Sequence, residues 1–186
     1  MRSIAFLYAS EGTGHKAAAE NLREWHLERG RENTALCLDV LEVLPSLLRG
    51  TVSMGYLLVA RHAPSIWGRF YWGSDKESLQ ASLFDRIHSV LCKIYLPRIE
   101  EIVSSSGAEA VVFTHYFGAS VFAARNRLRI PVYYVNTDFV THRFQRSGLF
   151  SASFVASDAA IEQYRTDGIH NVFNTGIPVS RKYCSP

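Results

Sequence analysis

The stretch Ile4-Ala5-Phe6-Leu7-Tyr8-Ala9-Ser10-Glu11-Gly12-Thr13-Gly14-His15-Lys16-Ala17 decides the fold. Its first six residues are an apolar run rich in strand formers, the pattern of a parallel strand covered on both faces. The glycines at 12 and 14 then allow a tight turn. Lys16–Arg29 follows with Ala17, Ala18, Leu22, Trp25 and Leu27 at broadly helical spacing, and Gly30 is a natural stop. Thr34–Val40 reads as a second strand, ending near Asp39. A strand, a glycine turn, a helix and a strand in that order open a doubly wound α/β sheet.

Working outward, the same rhythm returns late in the chain. Ala110–Thr114, Val132–Asn136, Ala152–Ala156 and Val172–Thr175 read as strands, and Gly118–Arg127 and Asp158–Thr166 as helices. Ser78–Ser105 reads as helical, with a break or fresh start at Pro97. Between the two halves, Leu41–Gly73 is apolar and aromatic but carries Pro45, Gly50, Pro64 and Gly68, which predicts broken helices. The expected fold class is α/β, Rossmann-like, with a mainly parallel sheet.

Composition narrows the function classes. The 186 residues suit one domain, and 47% hydrophobic with 20% charged residues excludes disorder. Twenty Lys+Arg against 17 Asp+Glu leaves +3, too mild a charge to imply nucleic-acid binding. No apolar run approaches the roughly 20 residues of a membrane span; the longest, Val52–Ala60, is interrupted by Gly55 and closed by Arg61. Ile4–Ala9 is followed by Glu-Gly-Thr-Gly rather than a cleavage site, so it reads as a strand and not a signal peptide. Cys37, Cys92 and Cys184 form no CxxC pair, which argues against a disulfide framework or a zinc cluster and for a cytosolic protein.

Three clusters are candidate sites. In the first, Gly12, Thr13 and Gly14 stand where a helix N-terminus presents free N–H groups, suited to phosphate. Gly12-x-Gly14-x-x-Ala17 also satisfies the dinucleotide fingerprint in its Gly/Ala variant, with Asp39 placed to contact a ribose. That fingerprint leaves His15 unexplained. A helix N-terminus disfavours an imidazolium and suits a neutral imidazole acting as a base. The second cluster, Val135 to Phe144, follows the fourth strand and gathers Asp138, His142 and Arg143, which together can orient a hydroxyl or hold an anion. Thr114-His115-Tyr116 follows the third strand in the same way. The third cluster, Tyr56–Trp72, interleaves Tyr56, Trp67, Phe70, Tyr71 and Trp72 with Arg61, His62 and Arg69. Rings with cations suit a membrane interface, while the same composition also suits core helices with charged edges.

Taken together, the chain resembles the N-terminal domain of the monogalactosyldiacylglycerol synthase family, which includes bacterial processive diacylglycerol glucosyltransferases. The resemblance rests on Ser10-x-Gly12-x-Gly14-His15-x-x-Ala18-Ala19, Thr114-His115, Thr137-Asp138-Phe139-x-x-His142, Ala156-Ser157-Asp158 and Thr175-Gly176-Ile177-Pro178-Val179. It implies half of a GT-B glycosyltransferase: an acceptor-side domain over residues 1–186, with a membrane- and acceptor-facing insertion near 41–75. The donor-binding C-terminal domain is then expected in cis or in trans. It implies metal-independent, inverting transfer of a hexose from a UDP-sugar to diacylglycerol or a related lipid, with no further cofactor.

On this reading His15 is the general base, and Asp138 and His142 position groups or relay protons. Gly12, Thr13 and Gly14 face the donor, while Tyr56, Arg61, Trp67, Arg69 and Trp72 meet acceptor and membrane. The protein would be cytoplasmic and peripherally membrane-associated, and the isolated chain inactive. The family often carries an aromatic residue, commonly Trp, shortly after the second-cluster histidine; here Gln145 stands there. Two other readings stay open: an NAD(P)-dependent oxidoreductase domain, and a non-catalytic membrane-binding module.

Overall fold

The structure, a computed structural model, describes residues 1–10, 13–45 and 79–184, with the side chains of 79–89 and 91 outside that description. Gly12 and the proposed insertion beyond residue 45, including Tyr56, Arg61, Trp67, Arg69 and Trp72, lie outside the described residues.

Chain order is β1 (Ser3–Tyr8), α1 (Thr13–Glu28), β2 (Thr34–Asp39), α2 (Leu79–Ser105), β3 (Ala110–Phe113), α3 (Ala119–Arg125), β4 (Val132–Val135), β5 (Ala152–Val155), α4 (Asp158–Thr166) and β6 (Val172–Asn174). Short 3-10 turns cover Arg143–Gln145 and Arg181–Tyr183. The six strands lie in the order β2-β1-β3-β4-β5-β6, and every pairing is parallel. The sheet is therefore Rossmann-like, as the apolar runs predict.

Two-sided burial explains those runs. One core cluster joins Ala5, Leu7, Val111, Phe113, Val132 and Tyr134 to residues of α2 and α3. Another gathers Phe6, Val112 and Val135 with Ala19 of α1. Adjacent strand residues point to opposite faces and both faces are covered, so no polar alternation survives.

The expected break at Pro97 does not occur: α2 runs unbroken with Pro97 inside it. A proline in a helix interior costs about 3 kcal/mol. Against that, Cys92, Tyr95, Leu96, Ile99 and Val103 form one helical stripe buried to 1% exposure or less. The aliphatic members alone contribute roughly 1.5–3 kcal/mol each. Pro97 itself is exposed, so its ring disturbs no packing. A second difference is the early end of α3. Asn126 takes a left-handed φ of 27°, and its side chain bonds both the N–H and the carbonyl of Ile130, closing a turn where the helix was expected to continue. Residues 41–43, expected to open a broken helix, form turns.

Candidate active site

The chain leaves β1 toward β2 on one side and returns to β3 on the other, so the sheet has its switch point between β1 and β3. In open α/β sheets the crevice at such a point, at the carboxyl ends of the strands, is where ligands bind. The register pairs Leu7 with Phe113 and Phe113 with Tyr134, which brings the ends of β1, β3 and β4 side by side. The segments that follow these three strands carry His15, Thr114-His115 and Thr137-Asp138.

His15 is the third residue of α1 and is half-buried. Its Nδ1 lies 2.7 Å from the main-chain carbonyl oxygen of Thr114, and the Thr114 hydroxyl donates back to the carbonyl of His15 at 2.8 Å. A carbonyl oxygen only accepts, so Nδ1 carries the hydrogen. In the neutral ring the lone pair then sits on Nε2. Thr137 Oγ1 stands 3.0 Å from the same Nδ1, within reach of the same hydrogen. Three strand ends thus fix one imidazole in position and in tautomer.

His115 supports that ring from the side. Only 4% of it is exposed, and its ring meets His15 edge-on with centroids 4.5 Å apart. The N–H of Phe117 donates to His115 Nδ1 at 3.2 Å. Ring contacts continue from His115 to Tyr116 at 4.5 Å and from Tyr116 to Phe144 at 6.0 Å, with the Arg143 guanidinium 4.9 Å over the Phe144 ring. The first and second sequence clusters are therefore packed together.

The loop after β4 is organised by Gln145, buried at 3% exposure. Its Oε1 accepts from His142 N at 2.8 Å and from Asn136 Nδ2 at 3.3 Å. Its Nε2 donates to Asp138 Oδ2 at 2.6 Å, and its carbonyl accepts from the Tyr164 hydroxyl at 2.7 Å. Asp138 is half-buried, and its own N–H donates to Asn136 Oδ1 at 2.9 Å.

The candidates thus separate. Asp138 joins His15 through its neighbour Thr137. His142 is buried, with 9% exposed, at the start of the 3-10 turn. Thr13 and Gly14 are exposed at the first turn of α1. Asp39 requires a correction: it is 5% exposed, and its Oδ1 accepts from the N–H groups of Ser10 at 3.3 Å and Leu41 at 3.0 Å. A carboxylate committed to the backbone around the first turn is not presented to a ribose. Its neighbour Tyr8 has its phenol pushed up to about 12, chiefly by burial and then by the Asp39 charge.

Among the described residues no three His, Cys, Asp or Glu side chains are grouped to hold a metal ion, and no helix is long and apolar enough to cross a membrane. The orienting roles of the Thr114 carbonyl and of Gln145 are absent from the sequence reading. A main-chain acceptor leaves no mark on a sequence, and Gln145 stands out there only by departing from a family pattern.

Known proteins share much of this sequence. The family model described as monogalactosyldiacylglycerol (MGDG) synthase matches residues 15–179, from His15 through the last strand. A processive diacylglycerol beta-glucosyltransferase of Bacillus cereus strain B4264 is 23% identical over 184 residues, 97% of this chain and 46% of the relative. One from Bacillus licheniformis is 25% identical over 185 residues, 98% of this chain and 47% of the relative. The chain spans about half the length of the curated relatives it matches. With His15, Thr114, Thr137, Asp138 and His142 all inside a match covering most of the sequence, the chain belongs to the monogalactosyldiacylglycerol synthase family.

Proposed function

We propose that this chain is the acceptor-side half of a GT-B glycosyltransferase that moves a hexose from a UDP-sugar to the free hydroxyl of diacylglycerol or a related lipid. The observation that carries the reading is the 2.7 Å contact between His15 Nδ1 and the Thr114 carbonyl. It leaves Nε2 able to take a proton, at the strand ends where a ligand would lie. The relatives' names supply the substrate class, since they act on diacylglycerol.

In the proposed step the lipid hydroxyl gives its proton to His15 Nε2 while its oxygen attacks the anomeric carbon. The bond from that carbon to the diphosphate oxygen breaks on the opposite face, and UDP leaves with the electron pair. The configuration at the anomeric carbon therefore inverts. The N–H groups around Thr13 and Gly14 suit the negative charge that develops on the diphosphate. No residue role in this step calls for a metal. A donor-binding domain, in cis or in trans, supplies the remaining contacts, and the enzyme works at the cytoplasmic membrane surface as a peripheral protein.

His15→Ala tests the reading in the full-length enzyme, with labelled UDP-glucose and UDP-galactose as donors and diacylglycerol as acceptor. Turnover falls by roughly 10²- to 10⁴-fold, as for a lost general base, while the protein stays folded. Transfer at the wild-type rate in the variant removes His15 from the chemistry. Robust transfer by residues 1–186 alone overturns the half-enzyme reading.

A further inference from the structure

The amide of Gln145 has its orientation forced. The N–H of His142, 2.8 Å away, can only donate, so the atom facing it is Oε1. Nε2 then faces Asp138 and donates to Oδ2 at 2.6 Å. Among the described residues no donor is bonded to the other oxygen, Oδ1. A half-buried carboxylate with one oxygen tied down and one uncommitted is a directed acceptor. It stands one residue from Thr137, whose hydroxyl is 3.0 Å from the His15 ring.

We propose that Gln145 is a positioning residue for the transfer reaction. By holding Asp138 Oδ2 it turns Oδ1 toward a hydroxyl of the bound substrate beside His15, on the acceptor side of the crevice. Asp138 is the group that touches substrate; Gln145 acts through it. The same amide accepts from His142 and Asn136, so the loop that carries Thr137 and Asp138 is set by one buried side chain. This rests on the transferase reading above for the identity of the substrate, but the pairing of 145 with 138 does not.

A donor–acceptor exchange separates positioning from simple structure. Gln145→Glu places a second carboxylate against Asp138 and lowers the thermal midpoint by roughly 2–4 °C at this chain length. The double variant, Asp138→Asn with Gln145→Glu, restores every hydrogen bond. The carboxylate introduced at position 145 still accepts from His142 and Asn136, and the new amide at position 138 donates to it. Charge is conserved, but the carboxylate no longer faces the crevice.

The expected result is a thermal midpoint back at the wild-type value, with kcat/KM for diacylglycerol still at least roughly tenfold down. That is the difference between a charged and a neutral acceptor. Asp138→Asn alone keeps a normal midpoint, its carbonyl accepting from Gln145 Nε2 and its NH2 group turned to the crevice, and loses at least as much transfer. Recovery of transfer together with stability makes the pair structural only and overturns the proposal. Failure of the double variant to recover stability overturns the pairing itself. If the wild-type full-length enzyme shows no transfer, the transferase reading fails, while the stability exchange still reports on the pair.

Discussion

Gly118→Ala probes how tightly the segment carrying His115 is fixed to the core. Gly118 has a φ of 78°, and a Cβ built there would lie 2.5 Å from Tyr95 Oη and 3.3 Å from two carbons of the same ring. Tyr95 cannot easily yield. It is 1% exposed, stacks on Phe117 at 5.2 Å, and its hydroxyl is 3.2 Å from Cys92 Sγ. Two costs combine: roughly 1–2 kcal/mol for a left-handed alanine, and about 1–3 kcal/mol for overpacking a core ring. The sum, about 2–5 kcal/mol, corresponds to a drop of about 1–2 M in the urea midpoint. Gly107→Ala is the control, because Gly107 has a φ of 67° but nothing within 4 Å of its added Cβ. The difference between the two variants isolates the collision with Tyr95. Adding Tyr95→Phe to Gly118→Ala removes the nearest atom and recovers part of the loss. Equal midpoints for the Gly118 and Gly107 variants would refute the reasoning.

Thr137→Val removes one of the two oxygens near His15 Nδ1 and leaves the shorter contact to Thr114 in place; a neutral hydrogen bond worth about 0.5–1.5 kcal/mol predicts a roughly two- to tenfold fall in kcat of the full-length enzyme. Thr137→Ser restores it, and steady-state kinetics with both variants checks the pair. Alkaline pH weakens the fold: burial pushes the Tyr164 phenol from 10.0 up to about 12, so the folded state favours the neutral ring. Its contribution is complete below pH 10 and is lost as pH rises through about 12. Urea midpoints measured across that range fall in the wild type and fall less in Tyr164→Phe.

How much could be read from the sequence follows from what each force writes into it. Two-sided burial writes unbroken apolar runs, so β3 and β4 were legible within a residue of their ends. The α4 boundaries were legible as well, because Ser157 caps the helix by accepting from Ala160 N at 3.1 Å. Pro97 misled because a local rule met a longer stripe of burial on the opposite face. Asp39 stayed open because its position suits either a ribose or the backbone turn, and only the fold decides. His15 stood out as a candidate from its place after the glycines. What orients it was not, since the Thr114 carbonyl belongs to the main chain and Gln145 acts through a loop closed by tertiary contacts.

The clasp on His15 also has a place in the order of folding. Its two partners lie 99 and 122 residues further along the chain. During synthesis at about 5–20 residues per second, α1 and its histidine emerge several seconds before the loop after β4. Until β3 and β4 have paired in parallel with β1, nothing holds the ring. Such non-local pairings are the slow part of folding. The imidazole is therefore oriented only after the centre of the sheet has closed, so a chain released early carries the residue without its alignment.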